Sequence, residues 1–468
     1  MILRSGLSRK SRRKKTRNKP LDFQLLEKKQ LMAADLLGHG PHPMPAETQL
    51  VNTTQSPTGN TSHMHQEGNC QHHANPAVMA LVAHEDATHV ATGTGNWSDP
   101  SIWQNGQVPT QGARIVVSEG QTVTVDGVYN AEFKTLRIDG TLKFATDVNT
   151  QLKVDTLVST GCARLEMGTQ ANPVDANVTA KIIFADDGAI DRNWDPTRVS
   201  RGAILMGSTE IAGAQTTDRV TLATQPLAGA TSLQLSEVPV NWKVGDEIVI
   251  TGTNGATSDE VRVIASVNGT TVQLDRALDV DHVAPKSHLN VHVANKTRNV
   301  QFSSENTAVK RRGHIMFAHT LDVKIDNAGF YDLGRTDKSR DLDDVFFEFD
   351  EGISGNNSGA PIHYTLEIEQ ESTNIRGRYA LHFHRGGVDP SSTAATVSGS
   401  VVDGSPGWGF VNHSSHVNFN SNVAYGVWGS AYYTEAGDEI GSFDNNIAIR
   451  SVNPRNPVDP ETREIATD

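Results

Sequence analysis

The stretch HVNFNSNVAYG at residues 416–426 is repeated 24 residues later as IGSFDNNIAIR at residues 440–450. The two stretches align without a gap. The aligned positions keep their residue types: Phe419 with Phe443, Asn422 with Asn446, and Val423 and Ala424 with Ile447 and Ala448. A repeat of about 20–25 residues without helical spacing is typical of the coils of a parallel β-helix, in which asparagines stack at the turns. The pair therefore predicts β-helical coils in this part of the chain.

Other stretches extend this prediction towards the N-terminus. VKIDNAGFYDLG (323–334) and VSGSVVDGSPGWG (397–409) have a similar pattern, and TLRIDGTLKF (135–144) and LKVDTLVSTGCARLEMG (152–168) resemble successive rungs that each bury Leu, Ile or Val. A β-propeller would need longer blades and a closing repeat, and a β-sandwich would not show the 24-residue offset. We therefore predict an all-β fold built on a right-handed parallel β-helix.

Residues 216–285 predict a small β module of a different kind, inserted into the series of rungs. Within it, SVNGTTV (266–272) predicts a hairpin, because Asn268 and Gly269 readily adopt the positive φ angles of a tight turn.

Residues 38–92 are rich in Pro, Asn, Gln, Thr and His with little periodicity, so we interpret them as a disordered linker without a packed core. Six histidines of this stretch lie before residue 75 and could bind metal ions, but a polar linker is the simpler interpretation: His39, His42, His63, His65, His72 and His73.

Charge and composition exclude several classes of function. The chain of 468 residues has a net charge of −13, yet residues 1–30 contain eleven Lys and Arg against two acidic residues. The remainder is therefore strongly acidic, which argues against nucleic-acid binding. No apolar run approaches the ~20 residues that a transmembrane helix needs. Cys70 and Cys162 are the only cysteines, so we predict no disulfide framework and infer no compartment from them.

The N-terminal segment, residues 1–37, lacks the apolar core of a conventional signal peptide. Its stretch LLEKKQLMAAD (25–35) resembles a short signature near the start of many large bacterial surface proteins. This resemblance implies export, and with it a location outside the cell or on its surface.

The stretch GRYALHFHRGG (377–387) carries the sharpest candidate site. On a strand, Tyr379, Leu381 and Phe383 would share one face, and the other face would carry Arg378, Ala380, His382 and His384. Two imidazoles on one strand face are about 6.5 Å apart, close enough to contact one ion or one sugar. Two ligands do not make a zinc site. Four histidines are candidates for a third nitrogen, with His413 favoured because it lies one coil further on: His314, His319, His413 and His416.

Two kinds of polysaccharide cleavage would use different residues. Hydrolysis needs two carboxylates about 5–9 Å apart, for which Asp337, Glu435, Asp438 and Glu439 are the candidates. β-Elimination needs a base near the α-proton of a uronate, with a cation or an arginine on its carboxylate. His382 or His384 could be this base, with Arg378 as the neutralising group. The sequence does not choose between the two.

Further residues suit the recognition of an acidic sugar. Arg335, Arg378 and Arg385 could pair with a uronate carboxylate through two parallel hydrogen bonds, although capping of turn carbonyls is the alternative for each. Trp408, between two glycines, could stack on a sugar ring. The acid-rich stretch 335–352 has the oxygen ligands that Ca²⁺ prefers, but its spacing fits no EF-hand, so we interpret it as a solvated loop.

Several motifs, in order, resemble a known family. Residues 95–127 have a Gly-Asn-Trp-Ser turn and a second Trp six residues on, followed by the Asp-Gly-Thr-Leu of 139–142, as at the start of the G8 domain. Four downstream motifs resemble the β-helix that follows this domain in bacterial relatives: GHIMFAH (313–319), LGRTDKS (333–339), RGRYALHFH (376–384) and GSPGWGFVNH (404–413). Animal members include cell-surface hyaluronidases and hyaluronan-binding proteins, which implies an extracellular protein directed at polysaccharide.

The chain departs from the animal enzymes in one segment. Where they have a Gly-His-x-Phe-Phe-Leu-Glu-Asp-Gly-type stretch, this chain has GSAYYTEAGDE (429–439), which retains Glu435 but has Ser430 at the histidine and Ala436 at the aspartate. Relatives also continue beyond the point at which this chain stops. Both departures favour a non-catalytic adhesion or matrix module as the alternative to an enzyme.

The resulting predictions divide the chain into six parts. They are an export-type segment (1–37), a disordered linker (38–92), a G8 domain (93–215), the inserted β module (216–285), β-helix repeats (286–452) and a tail (453–468). We predict a surface protein that binds an acidic polysaccharide such as hyaluronan, and with it components of the cell envelope or matrix. If it is an enzyme, we expect His382, His384, Asp337 and Glu435 to be catalytic. Substrate would then be bound by Arg335, Arg378, Arg385, His413 and Trp408.

Overall fold

The computed structural model describes residues 75–254, 258–342 and 373–452. The predicted export segment, the N-terminal part of the linker, the C-terminal tail and most of the acid-rich stretch lie outside these residues. Within them, 23 strands form one parallel solenoid and six strands form a separate antiparallel sheet. The fold is therefore all-β and built on a parallel β-helix, as predicted.

The first part of the solenoid alternates short strands with turns. After a short helix, α1 (Pro76–Ala80), its strands are β1 (His89–Ala91), β2 (Gly95–Asn96), β3 (Arg114–Val117), β4 (Thr122–Val125), β5 (Val128–Ile138), β6 (Thr141–Phe144), β7 (Thr150–Ser159), β8 (Arg164–Met167), β9 (Ala180–Phe184), β10 (Gly202–Leu205) and β11 (Ser208–Ala212). Single 3₁₀ turns occur at His84–Asp86, Pro100–Ile102 and, further on, Val309–Arg311.

The antiparallel module follows, and the solenoid then resumes. The module strands are β12 (Arg219–Thr221), β13 (Ser232–Gln234), β14 (Glu247–Ile250), β15 (Glu260–Asn268), β16 (Thr271–Leu274) and β17 (His292–Asn295). The later solenoid strands are β18 (Val300–Ser304), β19 (Ile315–Ala318), β20 (Val323–Asp326), β21 (Ala328–Tyr331), β22 (Leu381–Gly387), β23 (Ala395–Ser398), β24 (Val401–Asp403), β25 (Phe410–Asn420), β26 (Val423–Tyr425), β27 (Tyr432–Thr434), β28 (Ile440–Asp444) and β29 (Ile447–Ile449).

The strand pairings arrange the solenoid in three parallel stacks. Stack 1 runs through β1, β3, the end of β5, the end of β7, β10, β19, β22, the start of β25 and β27. Stack 2 runs through β2, β4, β6, β8, β11, β20, β23, the end of β25 and β28. Stack 3 runs through the starts of β5 and β7, then β9, β18, β21, β24, β26 and β29.

The register between the last coils is the one that the 24-residue repeat predicts. Phe419 pairs with Phe443, and Val423 pairs with Ile447. The Nδ2 group of Asn422 donates to Oδ1 of Asn446 at 3.0 Å, so the predicted asparagine ladder is confirmed. Residues 323–334 and 397–409 also lie in coils of the solenoid, as predicted, and there β20 pairs with β23 and β21 with β24.

Aromatic rings stack along the axis inside the solenoid. The ring centroids of Phe317 and Phe383 are 4.9 Å apart, and those of Phe410 and Tyr432 are 5.0 Å apart. These side chains alternate along each strand with outward-facing ones, which gives the strands their period of two. A single apolar core therefore extends through the coils on both sides of the module.

The structure corrects three boundaries of the sequence analysis. The predicted linker ends before α1, because Val78, Leu81 and Val82 are buried against the outer face of stack 1. The module extends beyond residue 285, because β17 pairs with β12 and β14. The hairpin turn lies one residue later than predicted, since Asn268 pairs with Thr271 and only Gly269 has a positive φ, of 59°.

One of the two cysteines is oxidised, which the sequence analysis did not address. Cys162 lies in the turn between β7 and β8, and it is disulfide-bonded. The sequence showed only that two cysteines are too few for a framework of several bridges. It could not show that Cys162 is oxidised, because sequence separation says nothing about the distance between two thiols.

Candidate functional site

The candidate site lies on the outer face of stack 1, where three consecutive coils carry polar side chains in register. In β22, Leu381 and Phe383 point into the core, so His382 and His384 point outward. His384 pairs with His413 of β25 in the next coil. Glu435 follows directly after β27 in the coil beyond, and its N–H donates to the Asn412 carbonyl at 2.9 Å. The register therefore places His384, His413 and Glu435 in one column.

The three histidines form a compact group, which we call the histidine cluster: His382, His384 and His413. One ring nitrogen from each residue lies within 4.8 Å of the others. The ring centroids are 5.2 Å apart for His382 and His384, and 4.7 Å apart for His384 and His413. Oε2 of Glu435 lies 3.3 Å from both Nε2 of His382 and Nδ1 of His413. Four of the predicted site residues thus converge.

The cluster is shielded from solvent, yet it is poorly satisfied. His382 is 1% exposed and His384 is 5% exposed. Nδ1 of His382 lies 3.2 Å from the Gly377 carbonyl, but its Nε2 and Oε2 of Glu435 face each other without the geometry of a hydrogen bond. Both ring nitrogens of His384 are buried without any hydrogen-bond partner. A buried polar atom without a partner loses its hydration at a cost of about 1–3 kcal/mol.

Two groups of the site have strongly shifted pKa values. Burial would raise the pKa of Glu435, but the contacts with His382 and His413 outweigh it and hold that pKa well below its usual range. Burial, reinforced by the neighbouring imidazoles of His382 and His413, lowers the pKa of His384 well below its usual range. At neutral pH, Glu435 is therefore an anion and His384 is neutral.

Tyr379 belongs to this site, whereas the sequence placed it on the core face. Because β22 begins at Leu381, the alternation does not extend back to Tyr379: its ring lies 5.2 Å from that of His382, and Ala380 enters the core instead. The Tyr379 hydroxyl donates to Oε1 of Glu435 at 3.3 Å. Nothing in the sequence indicates where the strand begins, so no signal could have revealed this contact.

Trp408 is packed into the structure beside Tyr379. It is 6% exposed; the Tyr433 ring stacks on it at 3.5 Å between centroids, and Nζ of Lys338 lies 3.8 Å from its centroid. These neighbours leave little of the indole surface for the sugar that the sequence predicted there.

Arg335 and Arg378 bind backbone carbonyls, so the structure shows the capping alternative for them rather than uronate pairing. Arg335 donates to the carbonyls of Arg198, Ser200, Arg201 and Arg312. Arg378 donates to the carbonyls of Thr197, Arg198 and Arg376. Burial, reinforced by the charge of Arg378, lowers the pKa of Arg335 to about 9. Arg335 thus remains cationic at neutral pH, but its donors face backbone oxygens.

The remaining predicted residues lie around the cluster rather than in it. Asp337 accepts hydrogen bonds from Ser339 and is 3.2 Å from Nε of Arg340. Arg385 follows His384 at a bulge, with a φ of 53°. Glu439 accepts the backbone N–H groups of Ser414, Ala436 and Gly437, so it orders the loop that presents Glu435.

This arrangement limits the available chemistry. Hydrolysis would pair Glu435 with a second carboxylate about 5–9 Å away. Two of the other acidic candidates are already engaged, Asp337 with Ser339 and Arg340, and Glu439 with backbone N–H groups. An imidazole base is present for β-elimination, but Arg378 is bound to the loop carbonyls. Three imidazoles and a carboxylate are instead a suitable ligand set for a transition metal.

The described residues contain no helix that is long and apolar enough to cross a membrane.

Residues 102–223 match the model of the G8 domain. The chain contains a G8 domain. This match begins and ends about eight residues later than the predicted range 93–215. The strands of the G8 domain, β3 to β11, form the first coils of the solenoid, and its last residues form β12 of the module. The G8 domain and the β-helix repeats therefore share one core.

The chain is distantly related to other proteins with this domain. It is 26% identical to a G8 domain-containing protein of Dictyostelium discoideum over 80% of this chain and 31% of the relative. It is 23% identical to fibrocystin-L of Mus musculus over 75% of this chain and 9% of the relative. The chain thus spans about a third or less of the length of these relatives.

The chain also matches solved phage tailspikes at low sequence identity. The tailspike gp61 of Pseudomonas phage phi297 is 11% identical over 69% of this chain and 41% of its own, with a TM-score of 0.18. The gp54 tailspike of Acinetobacter baumannii bacteriophage AP22, solved in complex with a capsular saccharide, is 12% identical over 70% of this chain and 46% of its own, with a TM-score of 0.20. TM-scores of this size give no information about function.

Proposed function

We propose that the chain belongs to an exported, surface-associated protein that binds an acidic polysaccharide at the outer face of stack 1. One observation carries this proposal: the histidine cluster and Glu435 are not required by the fold. At the same outward positions one coil earlier, the solenoid carries Met316 and Ala318, which pack against the apolar cluster that includes α1. Poorly satisfied imidazoles and a buried carboxylate at these positions destabilise the coil, so a function is the better explanation of their presence.

The choice of an acidic polysaccharide has two supports. The stretch 377–387 resembles the Gly-Arg-Tyr-Pro-x-His-Phe-His segment of the hyaluronan-directed G8 proteins. Two cationic residues also lie beside the site: Lys338, over the ring of Trp408, and Arg385, next to His384. Positive charge beside an otherwise acidic chain favours an anionic ligand.

Export is supported independently of the ligand. Disulfides persist in oxidising compartments and are rare in the cytosol, so the disulfide of Cys162 favours a protein that leaves the cell. The resemblance of residues 25–35 to a signature of surface proteins points in the same direction.

Cleavage of the bound polymer is a second candidate, and one contact favours it. Glu435 is anionic and lies 3.3 Å from two imidazoles, which is the kind of pairing that general acid–base catalysis uses. The replacements at Ser430 and Ala436, where the animal enzymes have a histidine and an aspartate, favour binding over cleavage.

A polysaccharide panel tests both candidates. The full chain would be assayed for binding and product formation with hyaluronan and polygalacturonate, with the neutral polymer dextran as a reference. We expect retention on the acidic polymers and at least tenfold weaker binding by the His382→Ala, His384→Ala double variant. His416→Ala is the matched control, because His416 lies on β25 but bonds Ser392 outside the cluster. Equal binding by the double variant and the control would refute the proposed site.

The products decide whether the chain is an enzyme. New reducing ends accompanied by ultraviolet-absorbing unsaturated uronates would show β-elimination, and reducing ends without that absorbance would show hydrolysis. Either activity should disappear in the Glu435→Gln variant. Binding without products would leave the protein as an adhesion module.

A further inference from the structure

We propose that His382, His384 and His413 bind one transition-metal ion of the zinc class, with Glu435 as the fourth ligand. The inference does not depend on the polysaccharide proposal, because it is drawn from the ligand geometry alone. Each ligand comes from a rigid strand or from the residue that directly follows one. Imidazole and carboxylate are the ligands that Zn²⁺ combines in proteins, whereas Ca²⁺ prefers oxygen ligands only.

The hydrogen bond on the far side of His382 prepares this residue to bind a metal. Its Nδ1 lies 3.2 Å from the Gly377 carbonyl, an acceptor, so Nδ1 carries the proton. In the neutral imidazole, Nε2 then has a free lone pair. Metal-binding histidines characteristically donate their other ring N–H to a carbonyl or carboxylate, which fixes both the tautomer and the ring orientation.

Glu435 faces this lone pair, which requires a cation between the two groups. Oε2 of Glu435 lies 3.3 Å from Nε2 of His382 and 3.3 Å from Nδ1 of His413. A carboxylate oxygen and an imidazole lone pair are both acceptors, so their approach is unfavourable unless a proton or a metal ion lies between them. Protons could bridge Glu435 to His382 and to His413, but they would leave His384 without a hydrogen-bond partner.

His384 distinguishes a metal ion from protons. Both of its ring nitrogens are buried without a hydrogen-bond partner, although it lies at the centre of the cluster. The neutral imidazole is the form of histidine that binds metals. A single ion next to all three imidazoles would give each a partner, including the one that protonation leaves unsatisfied.

The spacing is compatible with a tetrahedral ion. Because the three nitrogens lie within 4.8 Å of one another, an ion at their centre would be at most about 2.8 Å from each. Zn–N bonds are about 2.0–2.1 Å long, so each imidazole would have to move by less than about 1 Å. Rotation about the side-chain torsions can provide this movement without a change in strand register.

Metal content tests the inference. The full chain would be stripped with a chelator, reconstituted with Zn²⁺, desalted and analysed by mass spectrometry for zinc per chain. Any ions bound by the linker histidines would be the same in every variant, so the diagnostic quantity is a difference. We expect His384→Ala to hold one ion fewer per chain than the wild type, and His416→Ala to hold the same number. Equal zinc content in all three proteins would overturn the proposal.

Two further measurements keep the test decisive if His384→Ala folds poorly. His413→Asn keeps a small polar side chain at the rim of the cluster, and it should bind Zn²⁺ at least 100-fold more weakly at this site. In the wild type, Co²⁺ should produce the intense visible absorption bands of a four-coordinate site, and Zn²⁺ but not Ca²⁺ should displace it. Bands that persist unchanged in His413→Asn, or their absence from the wild type, would contradict the assignment.

Discussion

Asn422 shows how one amide connects neighbouring coils. It is completely buried; its Oδ1 accepts the Ser400 N–H at 2.9 Å, and its Nδ2 donates to the Val397 carbonyl at 2.9 Å and to Asn446 at 3.0 Å. Polar turn atoms that would otherwise be buried without partners are satisfied in this way. A side chain at a turn thus contributes to the stability of three coils.

Replacement of this amide should be costly. We expect Asn422→Ala to lower the free energy of unfolding by about 2–4 kcal/mol, because it leaves a buried N–H and a buried carbonyl without a partner. Urea denaturation followed by circular dichroism would measure the change. Asn420→Ala is the control, because Asn420 is exposed at the end of β25, two residues before Asn422, and its replacement should cost less than about 1 kcal/mol. Similar costs for the two variants would show that the ladder is not stabilising.

At this scale, the sequence predicted some residue contacts and missed others. The pairs Phe419–Phe443 and Asn422–Asn446 could be predicted, because equal residue types at a fixed offset define the register between adjacent coils. The contact between Tyr379 and Glu435 could not, because it depends on where β22 begins and on a coil 56 residues further on. The sequence did favour His413 as the neighbour of the His382–His384 pair, and the structure places it there.

The strand β15 illustrates how a single element is anchored by charge. Glu260, its first residue, accepts from Nε2 of His282 at 2.8 Å and from the Asp279 N–H at 2.7 Å, and it pairs with Arg262. Burial would raise the pKa of Glu260, but these hydrogen bonds and the charge of Arg262 outweigh it, so the pKa is lowered. The ionised carboxylate therefore fastens the segment 277–282 to the sheet.

This anchor makes the stability of the module dependent on pH. Because the pKa of Glu260 is lower in the folded than in the unfolded chain, its contribution is complete above the ordinary carboxyl range and is lost as the pH falls from about 5 downward. Unfolding midpoints measured between pH 7 and pH 3 should fall less steeply for Glu260→Gln than for the wild type. Glu237→Gln, which changes an exposed carboxylate in the same module, should follow the wild-type curve. Parallel curves for all three proteins would rule out this role of Glu260.

Element boundaries were harder to predict than the elements themselves. The hairpin of β15 and β16 was expected from Asn268 and Gly269, yet its central residues are Gly269 and Thr270. The glycine is needed there because its φ of 59° falls in a region that side chains with a Cβ avoid. Sequence marks the residue that can adopt such an angle, but the pairing of the flanking strands decides which position of the turn it occupies.

At the scale of the whole molecule, the module packs against the outer face of stack 3. Its Val249 and Ala294 share an apolar cluster with Val401, Val423 and Tyr425 of the solenoid. Asp259 accepts from the Tyr425 hydroxyl and from Nε of Arg450, both at 2.9 Å. We therefore expect the module and the solenoid to unfold together.

Loss of the contacts of Asp259 with Tyr425 and Arg450 should allow the module to unfold separately from the solenoid. Asp259→Ala removes a buried charge that has two partners, so we expect a loss of about 2–4 kcal/mol in the free energy of unfolding. Limited proteolysis should then release module fragments at temperatures at which the wild type is resistant. Glu237→Ala, an exposed substitution in the module, should resist like the wild type. Identical cleavage of the two variants would show that the apolar contact alone couples the parts.

The position of the module also affects how the chain reaches its native state. Before the module, coils can be added in the order in which the chain is synthesised, because each new strand finds its neighbour nearby in sequence. At β18 this changes: Val300 must pair with Ala180, and Ile315 with Ala203, across the whole length of the module. Loop closure over such a distance is slow unless the intervening chain is already compact. The rate at which the module forms its own sheet should therefore set the pace at which the second half of the solenoid is added to the first.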